Sequence, residues 1–252
     1  MVVRPPSERR PLLSVDALGY GSADGERQAG IQETLISVLT ASAASAGLDR
    51  AEWDCQRAGD GEFAVLPSST SEKVLVDDFV RHLAGHLGTV NRDRKDASRI
   101  RLRLAIHHGV VQRAANGYAG AGAVVVNRLV ESAPAKAAQR AAHDADLVVI
   151  LSNEVFVDTV AQGFTLLRAK QFRKADVRVK EYMAAAWLYV PGADVTTLEL
   201  GDPETPVHRG DAESPSPPRR SVDAPATVHQ RAEVISNFHG PVQADVIGIK
   251  KG

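Results

Sequence analysis

Residues 12–66 contain four segments with clear secondary-structure patterns. The first segment, Leu12–Leu18 (LLSVDAL), is apolar, and in Glu26–Ala46 apolar side chains recur at helical spacing. Two further apolar segments, Ala51–Arg57 and Glu62–Leu66, are separated by Gly59-Asp60-Gly61, which is typical of a tight hairpin turn. Residues 12–66 therefore predict a strand, a helix and a two-stranded hairpin, in that order.

The segments that follow continue the alternation of helices and strands. They predict, in order, a helix beginning at Ser71, a half-buried strand at 100–106, a helix at Ala123–Ala142, a strand at Leu147–Leu151, a helix capped by Asn153, and one or two closing strands at 177–190. The order β-α-β-β-α-β predicts an α+β protein with a ferredoxin-like core.

The composition excludes several classes of protein. The 252 residues carry 30 Lys and Arg against 31 Asp and Glu, for a net charge of −1, which argues against nucleic acid or an anionic membrane as partner. The chain has no signal-peptide pattern, and no apolar run approaches the roughly 20 residues that span a bilayer. The single cysteine, Cys55, excludes an internal disulfide and a Cys-rich zinc site. We expect a cytoplasmic protein.

Composition also divides the chain into parts. Residues 193–233 are rich in proline, serine and charged residues, a composition that cannot bury enough apolar surface to fold. We expect an N-terminal arm at 1–10, a folded domain at 11–192, a disordered linker at 193–233 and a short motif at 234–252.

Two carboxylates of the folded domain are candidates for chemistry. Asp16 lies at the end of the first predicted strand, and Asp60 lies in the predicted hairpin turn. In a β-α-β-β core these elements can be neighbours, so both acids could face one point. Divalent cations such as Mg²⁺ prefer oxygen ligands, and phosphate substrates bring such ions with them. Asp-Gly is also the commonest hairpin signal, so a plain turn role for Asp60 is the alternative.

The order and spacing of these motifs resemble those of the class III nucleotidyl cyclases. The pattern Asp16-x-Leu-Gly-Tyr-x-Ser resembles the first metal-binding strand of that family, and Gly59–Phe63 resembles its second metal site. Gly122–Pro134 resembles the helix that carries the family's transition-state arginine, and residues 178–189 resemble its closing strand pair. The resemblance covers the whole predicted domain. It is nearest to actinobacterial cyclase-like domains and to the pyrimidine cyclases of bacterial antiphage signalling.

The resemblance implies an enzyme that converts a nucleoside triphosphate to a 3′,5′-cyclic nucleotide and pyrophosphate. Asp16 and Asp60 would hold two Mn²⁺ or Mg²⁺ ions, and Arg128 would stabilise the charge that develops on the phosphate. Members of the family form head-to-tail homodimers. The two acids would then come from one subunit and Arg128 from the other.

Two positions depart from the family pattern. Val124 stands where the family usually carries an asparagine that orients the ribose, and Asn127 lies on a different face of the helix. Gln56, followed by Arg57, stands where the family carries a purine-reading lysine, and with Tyr20 these are the predicted substrate-binding residues. The change at position 56 fits UTP or CTP as the substrate. It also fits a catalytically degenerate, cyclase-like signalling adaptor.

Two further patterns in the domain, a pair of histidines and a glycine-rich segment, are not interpreted as binding sites. Adjacent residues of a strand point to opposite faces, so His107 and His108 are not expected to share a metal. The glycine-rich segment 117–122 precedes a predicted helix but lacks the lysine and the hydroxyl residue of a P-loop, and it is interpreted as a loop.

The C-terminal motif has a different composition from the linker. Residues 234–249 combine β-branched, small and amide residues, as short cross-β segments do. The segment from Asn237 to Ala244 resembles the RHIM-like amyloid signalling motifs of bacteria. That resemblance implies recruitment of an effector protein by a flexibly tethered motif. A disordered tail, or a strand that docks on the domain, is the alternative.

Overall fold

The computed structural model describes residues 6–200. The predicted motif at 234–252, and the linker from residue 201 onward, lie outside the described residues. The strands are β1 Ser7–Ala17, β2 Asp54–Ala58, β3 Gly61–Val65, β4 Leu102–Ala114, β5 Gly117–Ala119, β6 Leu147–Ser152, β7 Arg173–Val179 and β8 Tyr182–Tyr189. The α-helices are α1 Gly25–Ser45, α2 Glu72–Val74, α3 Val80–Asn91, α4 Ala121–Val130, α5 Ala133–Ala141 and α6 Asn153–Val155, and π-helical turns at Leu75–Phe79 and Phe156–Ala161 follow α2 and α6.

The eight strands form one sheet whose order confirms the predicted ferredoxin-like core. Seven of them follow the order β2-β3-β1-β4-β6-β8-β7, and β5 pairs with the far end of β4. The first four strands of that order, with α1 and α3, make up the βαββαβ unit. Strand β1 is antiparallel to both β3 and β4, so it lies at the centre of the unit.

Two hydrophobic layers cover the two faces of the sheet. Alternate residues of β1 belong to different layers, because successive side chains of a strand point to opposite faces. Leu13 and Val15 pack in the layer that contains the buried residues of α1 and α3. Leu12 packs in the layer that contains those of α4 and α5. Sheet positions can therefore be assigned to an α1 side or an α4 side.

Helix α4 lies unusually close to the sheet, and two glycines make this possible. A β-carbon on Gly122 would lie 2.9 Å from the carbonyl carbon of Gly109 in β4. A β-carbon on Gly109 would lie 2.7 Å from the α-carbon of Gly122. The glycine-rich segment predicted as a loop thus forms β5 and the first turn of α4.

The predicted helix at Ala123–Ala142 is wrong in one respect, because the structure divides it into α4 and α5. The break follows Glu131. Ser132 caps α5 by accepting a hydrogen bond from the backbone of Ala135, and Pro134 lies in the first turn of α5. Proline has no backbone N–H and is tolerated in the first turn of a helix but not in its interior. The two residues therefore begin a new helix.

Three other predicted boundaries also differ from the structure. The arm predicted at 1–10 contributes residues 7–10 to β1, where they pair with β4. Residues 193–200, predicted as linker, include Val195, which is fully buried. Ser152 rather than Asn153 caps α6, since its hydroxyl accepts from the backbone N–H of Val155. Among residues 6–200, no helix has both the length and the apolar character needed to cross a membrane.

Candidate functional site

Asp16 and Asp60 lie on neighbouring strand ends. Asp16 ends the part of β1 that is paired with β3 and faces Gly61, while Asp60 occupies the turn between β2 and β3. The backbone N–H of Ala17 donates to the carbonyl of Asp60 at 2.8 Å. A β-carbon on Gly61 would lie 2.6 Å from the carbonyl oxygen of Val15, so the turn approaches β1 this closely only because residue 61 is glycine. Both carboxylates are half-buried.

The carboxylate of Asp16 forms an ion pair with Arg103, which the sequence analysis did not single out. Arg103 lies directly across from Asp16 on β4, and only 10% of its side chain is exposed. Its Nη1 also donates to Oε1 of Gln139 in α5 at 2.9 Å. Burial lowers the pKa of Arg103, and the nearby carboxylate of Glu131 opposes that shift. The sequence does show Arg103 alternating with the apolar residues of its strand, but that pattern alone indicates an exposed side chain.

Helix α4 lies on the same side of the sheet as Asp16. Ser14, which shares the face of β1 with Asp16, donates to Oδ1 of Asn127 at 2.8 Å, and Nδ2 of Asn127 donates to the carbonyl of Ala123 at 2.9 Å. Asn127 is therefore committed to β1 and to its own helix. Val124 stands on the outer face of α4 with 51% exposure. The outer face of α4 therefore carries valine, not an amide, at position 124 itself.

Arg128 faces an open groove along α4. The groove has a volume of about 330 Å³ and is lined by Tyr118, Val124, Asn127, Arg128 and Glu131, together with small residues of 119–123. Arg128 is half-buried and has no hydrogen-bond or ion-pair partner within the described range 6–200. Its guanidinium is therefore available to an anion.

The structure does not bring the three predicted substrate-binding residues together. Gln56 of β2 pairs with Phe63 of β3, which in turn pairs with Ser14 of β1. Gln56 therefore lies on the α4 side of the sheet, as Ser14 and Asp16 do. The side-chain amide of Gln56 packs so closely on Gly117 that a β-carbon on Gly117 would overlap the amide nitrogen. Of the three, Gln56 alone lies on the Asp16 side.

Arg57 and Tyr20 lie on the α1 side instead. Nε of Arg57 is 3.3 Å from the buried carboxylate of Glu62, which also accepts from Arg50 at 2.6 and 2.7 Å. Tyr20 accepts a hydrogen bond from Gln32 of α1 at 2.6 Å. Neighbouring residues of β2 face opposite sides, so grouping Arg57 and Tyr20 with Gln56 in one pocket is not supported by this geometry.

The β4–β5 hairpin covers β2 on the Asp16 side. Tyr118 donates to Asp54 of β2 at 2.6 Å, and Arg113 donates to both oxygens of the same carboxylate at 2.6 and 2.7 Å. The hydrogen bond from Tyr118, followed by that from Arg113, lowers the pKa of Asp54. This network holds Gly117 over Gln56.

The two adjacent histidines contact different partners, as their alternation predicts. Nδ1 of His107 is 2.9 Å from the hydroxyl of Ser152, and burial lowers the pKa of His107 to about 4. His108 pairs with Glu72 of α2. Within residues 6–200, no cluster of three or more His, Cys, Asp or Glu side chains could hold a metal ion. Among the described residues, Asp16 and Asp60 therefore have no third carboxylate, imidazole or thiolate beside them that would complete a protein-only metal site.

Comparisons with known proteins agree with this geometry at the level of the fold. No protein-family model and no curated protein matches the sequence. Among solved structures, the guanylyl cyclase Cya2 matches with a TM-score of 0.50 at 13% identity, over 79% of this chain and 100% of its own. An adenylate/guanylate cyclase/hydrolase from Silicibacter pomeroyi matches with a TM-score of 0.54 at 16% identity, over 75% of this chain and 99% of its own. A bacterial light-regulated adenylyl cyclase matches with a TM-score of 0.52 at 11% identity, over 77% of this chain and 56% of its own. The described part of the chain therefore has the fold of the class III nucleotidyl cyclases.

Proposed function

We propose that the protein is a metal-dependent nucleotidyl cyclase. The observation that carries this proposal is the placement of Asp16 and Asp60 on adjacent strand ends of a class III cyclase fold. The solved structures with this fold include proteins named as guanylyl and adenylyl cyclases. The substrate is a nucleoside triphosphate, and the products are a 3′,5′-cyclic nucleotide and pyrophosphate.

The donor set fits Mg²⁺ or Mn²⁺. Asp16 and Asp60 offer carboxylate oxygens, the ligands such ions prefer, and two carboxylates suffice when substrate phosphates complete the coordination. Bound there, the ions lower the pKa of a coordinated hydroxyl and neutralise phosphate charge. Asp16 and Asp60 would thus fix where the triphosphate lies relative to the end of β1.

Arg128 would act on the phosphate being attacked. In the reaction the ribose 3′-oxygen loses its proton to solvent and bonds to the α-phosphorus, while the bond from that phosphorus to the bridging oxygen breaks and pyrophosphate leaves. A planar guanidinium can donate to two phosphate oxygens at once. Arg128 is unpartnered within the described residues and borders an open groove. In a head-to-tail homodimer, it could therefore contact a substrate phosphate that is bound at Asp16 and Asp60 of the second subunit.

A pyrimidine nucleotide, UTP or CTP, is the proposed substrate. Gln56 is the one predicted base-contacting residue on the Asp16 side, and its amide both donates and accepts hydrogen bonds. The purine-reading lysine that the resemblance places at position 56 can only donate, so the change to glutamine alters which base edge this position can bind and supports a base other than adenine or guanine. Production of a cyclic pyrimidine nucleotide would suit antiphage signalling, with the motif at 234–252 recruiting an effector protein.

The test of this function compares three forms of the protein supplied with Mn²⁺ and a nucleoside triphosphate. Asp16→Asn should reduce the formation of cyclic nucleotide by at least about 100-fold, because it removes a charged metal ligand. Asp176→Asn, which alters an exposed carboxylate of the edge strand β7, should leave the rate unchanged. Full activity of a folded Asp16→Asn protein would refute the assignment.

A second candidate is a catalytically degenerate adaptor, which two observations favour. Arg103 occupies the carboxylate of Asp16, and Val124 leaves the ribose without an amide partner. Such a protein would bind a nucleoside triphosphate without converting it and would signal through the motif at 234–252. Equilibrium binding of UTP or CTP with no product after prolonged incubation would favour this candidate.

A further inference from the structure

We propose that Arg103 is a positioning residue that sets the metal affinity of Asp16. In the metal-free protein its guanidinium holds the Asp16 carboxylate, and a divalent ion binds only when that ion pair opens. The inference rests on the proposed function, which makes Asp16 a metal ligand. It adds a residue and a mode of control that the family resemblance does not supply.

The ion pair is built into the centre of the sheet. Asp16 and Arg103 are register partners on adjacent strands, and their side chains are 19% and 10% exposed. A shift in strand register cannot separate the two side chains, because β1 and β4 are paired on both sides of Asp16 and Arg103. A rotation of one of the two side chains is therefore needed to free the carboxylate, and Arg103 is the one that has a second polar partner, Gln139.

Gln139 and Glu131 also act on the Arg103 guanidinium. Gln139 of α5 accepts from Nη1 at 2.9 Å, which holds the guanidinium against the helix while Nη2 reaches Asp16. Glu131, at the end of α4, attracts the same guanidinium electrostatically. Besides Asp16, the Arg103 guanidinium therefore has a hydrogen bond to Gln139 and a nearby negative charge.

The present arrangement also leaves polar groups unsatisfied. Nε of Arg103 and Nε2 of Gln139 are buried and have no hydrogen-bond partner among the described residues. A buried donor without an acceptor destabilises the conformation that contains it. The Arg103–Asp16 pair is therefore not a fully satisfied structural bridge.

A guanidinium and a divalent cation compete for Asp16 for two reasons. Both need the same carboxylate oxygens, and two cations at one carboxylate repel each other strongly where little solvent screens them. Removing Arg103 should therefore tighten metal binding. Removing a nearby positive charge that does not contact Asp16 should have much less effect.

The experiment titrates the nucleotide-free, full-length protein with Mn²⁺ and counts the free ion by its electron paramagnetic resonance signal. Five forms are compared: wild type, Arg103→Gln, Arg140→Gln, Asp16→Asn and the double variant that combines Asp16→Asn with Arg103→Gln. Arg140 is the matched control, because it is exposed on α5 and contributes to the potential at Arg103. Arg103→Met serves as a second variant if Arg103→Gln does not fold, as judged by circular dichroism.

We expect the Kd for Mn²⁺ to fall at least tenfold in Arg103→Gln and less than threefold in Arg140→Gln. Asp16→Asn should abolish the tight site, including in combination with Arg103→Gln. An unchanged or higher Kd in Arg103→Gln overturns the inference, as does an equal gain in Arg140→Gln. If the wild type forms cyclic nucleotide while Arg103→Gln binds Mn²⁺ no better, this inference fails and the proposed function stands. If Asp16→Asn alters neither Mn²⁺ binding nor turnover, both fail.

Discussion

The close approach of α4 to the sheet predicts that replacing Gly122 with alanine destabilises the protein. A β-carbon on Gly122 would lie 2.8 Å from Cδ1 of Leu12, 2.9 Å from the carbonyl carbon of Gly109 and 3.0 Å from the carbonyl oxygen of Val110. Two of these three atoms belong to the backbone of β4 and cannot rotate away. Gly122→Ala must therefore push α4 off the sheet, and forced overpacking of this kind costs about 1–3 kcal/mol.

Gly30 supplies the matched control. It lies in α1, is exposed, and nothing stands within 4 Å of the position its β-carbon would take. Alanine there gains helix propensity and should add about 0.5–1 kcal/mol to the free energy of unfolding. The two variants should therefore differ by about 1.5–4 kcal/mol in urea titrations followed by far-UV circular dichroism. A Gly122→Ala protein as stable as the wild type would show that α4 is not held at the distance described.

Three further outcomes are expected from other parts of the molecule. Burial lowers the pKa of His107 from 6.5 to about 4. Between pH 6.5 and pH 4, the imidazole is therefore protonated in the unfolded chain but neutral in the folded protein. The free energy of unfolding should accordingly fall by up to about 3 kcal/mol as the pH drops from 7 to 4, and urea titrations of His107→Asn should show a flatter dependence. Asp77→Ala should lower the free energy of unfolding by about 2–3 kcal/mol, because the buried carboxylate accepts from the backbone of Leu166 and Leu167; Asp78→Ala, more exposed, should cost less than about 0.5 kcal/mol. Removal of residues 234–252 should leave the rate of nucleotide turnover unchanged but abolish thioflavin-positive fibres, and fibres from the shortened protein would contradict the proposed role of that motif.

The strands and helices of the core were predictable because each carries a strong local pattern. Leu12–Leu18 is a short apolar segment, which predicts a strand. Gly47 comes directly after the predicted helix Glu26–Ala46 and has the left-handed conformation in which helices commonly end. The division between α4 and α5 was missed although Ser132 and Pro134 are ordinary signals for the start of a helix. Because the sequence on both sides of these two residues is apolar and alanine-rich, it favours one continuous helix.

The candidate site was predictable in part for the same reason. Asp16 and Asp60 lie at the ends of local elements, so the β-α-β-β order was enough to predict that these strand ends are neighbours. Arg103 could not be chosen, because its role depends on strand register and on Gln139 of a distant helix. Arg57 was grouped with Gln56 because the two are adjacent in sequence, but adjacent residues of a strand face opposite sides of the sheet.

The most direct test of the proposed function is to incubate the purified protein with Mn²⁺ and with ATP, GTP, CTP and UTP separately, and to identify the products by mass spectrometry. We expect a single 3′,5′-cyclic pyrimidine nucleotide from the wild type and none from Asp16→Asn. A cyclic purine product would retain the cyclase and refute the pyrimidine assignment. The absence of a cyclic product from all four nucleotides, or the same product from Asp16→Asn, would contradict the claim that Asp16 and Asp60 form the catalytic metal site of a cyclase.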